Sequence, residues 1–321
     1  MDTVKWGIIS TADINRKIIP GAHASDKVDL IAVASRTQDR AESYAREWEI
    51  ERAYGSYDEL LADPDVEAVY ISLPNNMHSE WSIKSLEAGK HVLCEKPFAR
   101  DPAEVTAAFD AAERTGLMLS EAFMYRHNPQ TKKAVELLAR IGELRLIRST
   151  FSYGLYDETN IRLRPDAEGG SLMDVGCYNV SWSRLIGGEP ERVWGEAWHG
   201  ASGTDWVFTG TMRFPNDVIA LFDCGTAMTN RDEVEIVGSE GSLFLDDPYH
   251  CNVPVIELRT DEGVERIELE REDSYRLELE NVSDAIRGEA PLLLGREDAL
   301  GQVNAIAALH ESATASKPVT L

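Results

Sequence analysis

Val4-Lys5-Trp6-Gly7-Ile8-Ile9-Ser10-Thr11-Ala12-Asp13-Ile14-Asn15 starts as an apolar run of strand length and passes directly into a polar turn and a helix-like segment. Residues 28–35 form a second apolar run, and the gap between the two is long enough for a crossover helix, so the pair reads as one βαβ unit. The alternation then continues. Helix is expected over 38–48, strand at Ala53-Tyr54, helix over 56–62, strand over 68–73 and helix over 78–88, closed by Gly89. Strand over 91–95, helix over 102–115 and strand over 117–121 follow. Strand and helix alternating in this way predict a parallel, doubly wound, Rossmann-like sheet over residues 1–121.

Beyond residue 121 the pattern changes. A helix over 129–141 leads to an alternating strand over 144–153, a polar and glycine-rich loop, and a helix over 171–186 ended by Gly187-Gly188. Extended segments are expected over 192–198, 205–214, 218–228, 233–237, 242–246, 255–259 and 264–269, and helices over 275–287 and 296–315. Consecutive strands joined by turns such as Phe214-Pro215-Asn216-Asp217 predict a large, mostly antiparallel open sheet. Residues 122–321 are therefore read as a second, α+β domain.

Composition limits the partners. The net charge is −24, with 9 lysines against 23 arginines, a field that repels nucleic acid and anionic membranes and admits an anionic cofactor only where local groups overcome it. The same balance fits a high-salt cytoplasm or an ordinary acidic protein. Charged residues interrupt the first apolar run at once, unlike a secretory leader, and no stretch approaches membrane-spanning length, so a cytoplasmic location is expected. Cys94, Cys177, Cys224 and Cys251 form no C-x-x-C pair, and the 7 histidines are dispersed, so neither a disulfide framework nor a metal site is expected.

His91-Val92-Leu93-Cys94-Glu95-Lys96-Pro97-Phe98 places an amine at the carboxyl end of a strand, where open α/β sheets bind ligands. A cis Lys96-Pro97 bond would hold Lys96 toward a cofactor; the plain alternative is a surface lysine at a loop. In the first βα turn the dinucleotide fingerprint wants glycines where Ser10, Ala12 and Asn15 stand, so the strict pattern fails. Ser10 and Ala12 are nonetheless small, and with Thr11, Asp13 and Ile14 they precede a helix N-terminus suited to a pyrophosphate. After the second strand, Ser35, Arg36 and Thr37, with Arg40 one turn on, replace the usual ribose-binding acid. Guanidinium donors and hydroxyls at that point suit a 2′-phosphate, so NADP is preferred over NAD if a dinucleotide binds; otherwise Arg36 is a solvated loop residue.

Leu73, Pro74, Asn75, Asn76 and His78 follow the 68–73 strand, and their amides either meet the cofactor or cap the next helix. In the second domain Asp174 and Tyr178 are four residues apart, on one face of a helix. A nearby ammonium favours phenolate, so Tyr178 beside Lys96 makes a workable acid/base for a substrate hydroxyl.

Glu95-Lys96-Pro97, the segment from Pro74 to His78, Glu121-Ala122-Phe123-Met124-Tyr125-Arg126-His127-Asn128-Pro129, the Gly169 to Tyr178 segment and the Gly295-Arg296-Glu297-Asp298-Ala299 run together resemble the Gfo/Idh/MocA oxidoreductases over nearly the whole chain. The opening Trp6 to Ala12, Asn160-Ile161-Arg162 and Gly169-Gly170 are most similar to the branch of D-xylose dehydrogenases, glucose-fructose oxidoreductase and dimeric dihydrodiol dehydrogenases. That resemblance implies hydride transfer between NADP, or NAD, and a sugar carbinol such as that of D-xylose or glucose. It also implies roles: Lys96, Tyr178 and Asp174 in catalysis, Glu95 and Arg126 in cofactor binding, and Phe123, Tyr125, Tyr153 and Arg162 around the substrate. The second domain is then a substrate-binding and oligomerisation domain, and a homodimer or homotetramer is expected. Oxidation of a trans-dihydrodiol, reduction of a keto-sugar such as 1,5-anhydrofructose, and a non-catalytic dinucleotide sensor are the competing readings.

Overall fold

The computed structural model describes residues 3–155, 157 and 159–321. Among them the strands form two sheets, and the chain divides into two compact units, Met1–His127 with Asp273–Leu300 and Asn128–Glu272 with Gly301–Leu321. Where a single cut after residue 121 was expected, the first unit runs on to His127 and also takes in residues 273–300.

In the first unit β1 (Val4–Ile9), β2 (Val28–Ala34), β3 (Arg52–Tyr54), β4 (Ala68–Ile71), β5 (His91–Glu95) and β6 (Leu119–Ala122) lie in the order β3-β2-β1-β4-β5-β6, and every pairing is parallel. The order reverses between β1 and β4, which makes the carboxyl edge at those two strands the ligand crevice of a doubly wound sheet. Register aligns that edge, because Ile9 pairs with Ala34 on one side and Ile71 on the other, and Ile71 with Cys94. The residues that follow, Ser10, Ser35, Ser72 and the Glu95-Lys96 pair, thus leave the sheet together.

The late helix Ser274–Arg287 joins this unit for a packing reason. Leu279 and Val282 share one buried cluster with Val4, Trp6, Ile8, Val28 and Leu30, and the Trp6 indole N–H donates to Ser283 Oγ at 3.1 Å. Each such apolar side chain contributes about 1.5–3 kcal/mol on burial. The helix is amphipathic in sequence, but sequence alone does not say which sheet its apolar face covers.

In the second unit β7 (Leu144–Gly154), β8 (Arg192–His199), β9 (Asp205–Arg213), β10 (Ile219–Gly225), β11 (Ala227–Gly238), β12 (Ser242–Asp246), β13 (Val255–Thr260), β14 (Gly263–Glu268) and β15 (Val319–Thr320) pair in the order β14-β13-β12-β11-β7-β10-β9-β8-β15. All pairings are antiparallel except β10 with β7. The extended run expected over 218–228 is two strands that part at Thr226, and the C-terminal β15, too short to read, adds the last edge. The face bearing Ile147, Phe208, Met212, Ala220, Phe222, Val234 and Leu245 is buried. The opposite face carries Arg148, Thr209, Leu221, Asp223, Glu233 and Glu235 around a shallow hollow of about 420 Å³.

Candidate active site

The turn after β1 shows how a fingerprint without glycines closes. Ser10 has φ +119°, a conformation that favours glycine. Its side chain supports that strain: Ser10 Oγ accepts from the Ala12 N–H at 3.1 Å and lies 3.0 Å from the Ser72 carbonyl and 2.8 Å from Ser72 Oγ. Asn15, fully buried, donates from Nδ2 to the Ser10 carbonyl at 3.0 Å. The residues at the first and third fingerprint positions thereby bond to one another, and Ser10 joins the turns after β1 and β4. The N–H groups of Asn15, Arg16 and Lys17 turn back onto the carbonyls of Ala12, Asp13 and Ile14, so a pyrophosphate would meet N–H groups of the turn rather than those of the first helical residues.

Beyond β2, Ser35 is buried while Arg36, Thr37 and Arg40 are exposed. Arg40 Nε donates to Thr11 Oγ1 at 2.7 Å, tying the arginine loop to the first turn. Burial pushes the Tyr57 phenol up, and the positive charges of Arg36 and then Arg40 pull it back.

The Lys96-Pro97 peptide bond is cis. Three hydrogen bonds hold its surroundings. The Tyr70 hydroxyl donates to Glu95 Oε1 at 2.5 Å, the Lys96 N–H to Glu95 Oε2 at 3.1 Å and the Phe98 N–H to Glu121 Oε1 at 2.8 Å. His78 bridges two turns, with Nδ1 at 2.9 Å from the Pro97 carbonyl and Nε2 at 2.7 Å from the Leu73 carbonyl. Both partners are acceptors, and burial, with the Lys96 charge beside it, holds the imidazole pKa down. His78, 1% exposed, therefore joins the Pro74 turn to the Lys96 turn and has no ring nitrogen left for a cofactor, which corrects the expectation for it. Glu121 was quoted in a motif without a role, and its bond to Phe98 supplies one.

Leu73 is buried, Pro74 and Asn75 half-buried and Asn76 exposed. The helix that follows, His78–Glu87, has Met77 at its N-cap, so neither asparagine serves as that cap. Phe123 and Tyr125 are fully buried, edge to face with ring centroids 6.1 Å apart, and offer no surface to a substrate, which corrects the expectation for both. Arg126 Nη1 pairs with Asp298 at 3.1 Å, so its charge goes at least partly to the start of the last helix, Arg296–Ala315.

The second unit brings together Tyr153, Arg162 and Asp174. Asp174 Oδ2 accepts the Tyr153 hydroxyl at 2.5 Å, and Oδ1 accepts Arg162 Nε at 3.2 Å. The Arg162 N–H is capped by Asn160 Oδ1 at 3.1 Å. Tyr153 is pushed far up by burial and by the Asp174 carboxylate, so its hydroxyl stays protonated and donates. Asp174 and Tyr178 do not share a plain α-helix: Leu172–Gly176 is π-helical and only Cys177–Gly187 is α-helical. Such wide turns recur at functional sites. Tyr178 is buried against Phe151, centroids 5.3 Å apart, and Tyr249, 5.4 Å. Gln302 adds a hold the sequence did not suggest, donating to the Cys177 carbonyl at 2.7 Å while its own oxygen accepts from Arg184 at 3.1 Å.

One triad was missed because Asp232 stands 18 residues from His250. Nδ1 of His250 lies 2.7 Å from Asp232 Oδ2 and 3.1 Å from Asp247 Oδ1, so this nitrogen carries a proton that faces both carboxylates. Those bonds push His250 up to about 9, burial pushes Asp232 up to about 7, and Asp247, in spite of burial, is drawn down to about 2 by its donors.

Residues 4–123 match the profile of the oxidoreductase family with an NAD-binding Rossmann fold, and residues 131–244 the GFO/IDH/MocA C-terminal domain. A D-xylose 1-dehydrogenase (NADP(+)) of Haloferax volcanii is 37% identical over 324 residues, 98% of this chain and 99% of that protein. The chain belongs to the Gfo/Idh/MocA oxidoreductase family. A trans-1,2-dihydrobenzene-1,2-diol dehydrogenase of Bos taurus is 32% identical to this Gfo/Idh/MocA chain, covering 76% of it and 75% of the bovine protein. The crystal structure of a 3-ketoreductase from Actinomadura kijaniata in complex with NADP and TDP-benzene superimposes with a TM-score of 0.91 at 29% identity, covering 97% and 98% of the two chains. The first unit is thus the NAD-binding domain of an NAD(P)-dependent oxidoreductase, and its residues fit that cofactor: Ser10 takes a glycine's conformation at the crevice, and Arg36 and Arg40 are exposed after β2, with Arg40 bonded to Thr11 of the first turn. Among the described residues no helix is long and apolar enough to cross a membrane.

Proposed function

We propose that the chain oxidises the carbinol of an aldose such as D-xylose or glucose, with NADP⁺ preferred over NAD⁺. The observation that carries this reading is the hydrogen-bonded set in which Tyr153 and Arg162 hold Asp174, which lies on the segment that leads into Tyr178. Hydroxyl-rich substrates are recognised by fixed donors and acceptors of this kind, and the half-exposed Arg162 guanidinium has further N–H groups to offer. The bound nicotinamide supplies the hydride acceptor. Tyr178 takes the hydroxyl proton as the carbinol carbon gives up its hydride, and Lys96 is the second residue we assign to the reaction. Asp174 orients the substrate, held in place by Tyr153 and Arg162. The Haloferax relative, alike over almost the entire chain, supports the aldose reading, and Arg36 and Arg40 support the 2′-phosphate.

The bovine relative and the ketoreductase structure favour a second reading, oxidation of a trans-dihydrodiol or reduction of a keto-sugar. The hollow on the open face of the large sheet, bordered by the exposed Trp194 and Leu221, supports association of like chains into a homodimer or homotetramer. Absorbance of reduced nicotinamide over a panel of aldoses, dihydrodiols and keto-sugars with each cofactor separates these readings. Fastest turnover of an aldose with NADP⁺ is expected. Dinucleotide binding without turnover of any substrate would instead point to a sensor.

A further inference from the structure

The segment that carries Asp174 and Tyr178 begins irregularly, and its beginning is held from outside. Gly170 has φ +129°, and the N–H groups that follow open a helix whose first turns are π-wide. Groups at such an end have no partner within the helix. Here one buried side chain takes one of them and a side-chain hydroxyl besides: Oδ2 of Asp205, on β9, accepts the Leu172 N–H at 2.7 Å and the Ser171 hydroxyl at 2.8 Å. Asp205 is 5% exposed and comes 33 residues after Leu172. Burial pushes its carboxyl up, and the Leu172 and Ser171 donors pull it back.

The two glycines before the helix explain how the carboxylate gets there. A Cβ at Gly170 would lie 2.1 Å from Asp205 Oδ1, and one at Gly169 would lie 2.4 Å from the Arg162 carbonyl. That same carbonyl accepts the Gly170 N–H at 2.8 Å. The backbone of Arg162, the start of the helix and the carboxylate of Asp205 therefore meet at one point, within a turn of the Asp174 side chain that Arg162 grips. Behind it the Cys224 thiol donates to Ser171 Oγ at 3.8 Å.

We propose that Asp205 is a positioning residue for the acid/base chemistry: by fixing Ser171 and Leu172 from the sheet, it sets where Asp174 and Tyr178 stand relative to Arg162. This rests on the function proposed above, and it acts through the helix, with no contact to substrate required. Displacements near 1 Å at a reacting group cost about 10²-fold in rate, so loss of both bonds should lower kcat by about 10–100-fold.

The test uses the full-length enzyme and three variants, Asp205→Ala, Asp205→Asn and Ser171→Ala, with steady-state kinetics, NADP⁺ titration and hydrogen–deuterium exchange. Asp205→Ala should lose kcat by about 10–100-fold, leave the NADP⁺ dissociation constant unchanged, and speed exchange in peptides covering 171–178. Asn can present one oxygen to both donors, so Asp205→Asn should return kcat to within about threefold, and Ser171→Ala should fall between. Wild-type kcat in Asp205→Ala, equal losses in the Ala and Asn variants, or exchange at 171–178 like that of the wild type would overturn the proposal. If Asp205→Ala does not fold, exchange and kcat in Ser171→Ala decide it: both unchanged refutes it, faster local exchange with a partial loss of kcat supports it. If the wild type turns over no sugar while the Ala variant still loosens 171–178, the function proposed for the site fails and the positioning stands.

Discussion

Replacing Ser10 by glycine and, separately, by alanine isolates the strain in the first βα turn. At φ +119° a non-glycine residue costs about 1–3 kcal/mol, which glycine relieves and alanine retains. Both variants lose the Oγ contacts to Ser72 and the Ala12 N–H, about 0.5–1.5 kcal/mol each. Glycine also gives the unfolded chain extra freedom, about 0.5–1 kcal/mol. The hydrogen-bond losses cancel between the variants, so Ser10→Gly should be the more stable by about 1 kcal/mol, with both below the wild type. Urea unfolding followed by tryptophan fluorescence measures this, read as a shift of midpoint at constant slope. Ser10→Ala equal to or more stable than Ser10→Gly would refute the view that serine here occupies a glycine's place at a cost its hydroxyl offsets.

Arg36→Ala should weaken NADP⁺ binding about 10–100-fold and leave NAD⁺ binding unchanged by calorimetric titration, the loss expected for one charge-assisted contact to a phosphate. Tyr153→Phe removes the donor to Asp174 and should lower kcat/KM for the sugar by about tenfold or more, with NADP⁺ affinity intact. His250 should give a pH-dependent term in stability. Its folded value near 9 lies above the ordinary 6.5, so its contribution is complete below about pH 6.5 and lost as the pH rises through about 9. With 46% of the ring side chain exposed, screening reduces that contribution to about 1 kcal/mol. Thermal melts from pH 6 to 10 should show a decline that His250→Asn flattens.

The doubly wound sheet was legible because each strand in it is a short apolar run followed by a helix with its own boundary signals, local information that a sequence carries directly. The strict fingerprint fails for a physical reason. Ser10 adopts the backbone a glycine would take and bonds to Ser72, and Asn15 reaches back to Ser10, so the turn is closed by side chains in place of glycine. The Asp174 and Tyr178 spacing was legible, but the π turns were not, since they depend on what grips the helix start. Asp205, Gln302 and the packing place of the helix at Ser274–Arg287 escaped notice because the partners lie far away in sequence: Leu172, Cys177 and Trp6. Phe123 and Tyr125 sat in the right motif, yet burial sends their rings inward.

The central claim is that Tyr178 moves the substrate proton during hydride transfer to NADP⁺. Single-turnover oxidation of D-xylose by Tyr178→Phe at saturating NADP⁺ tests it most directly. A rate lower by about 10²–10⁴-fold with unchanged NADP⁺ affinity is the result predicted. A rate within twofold of the wild type would contradict it.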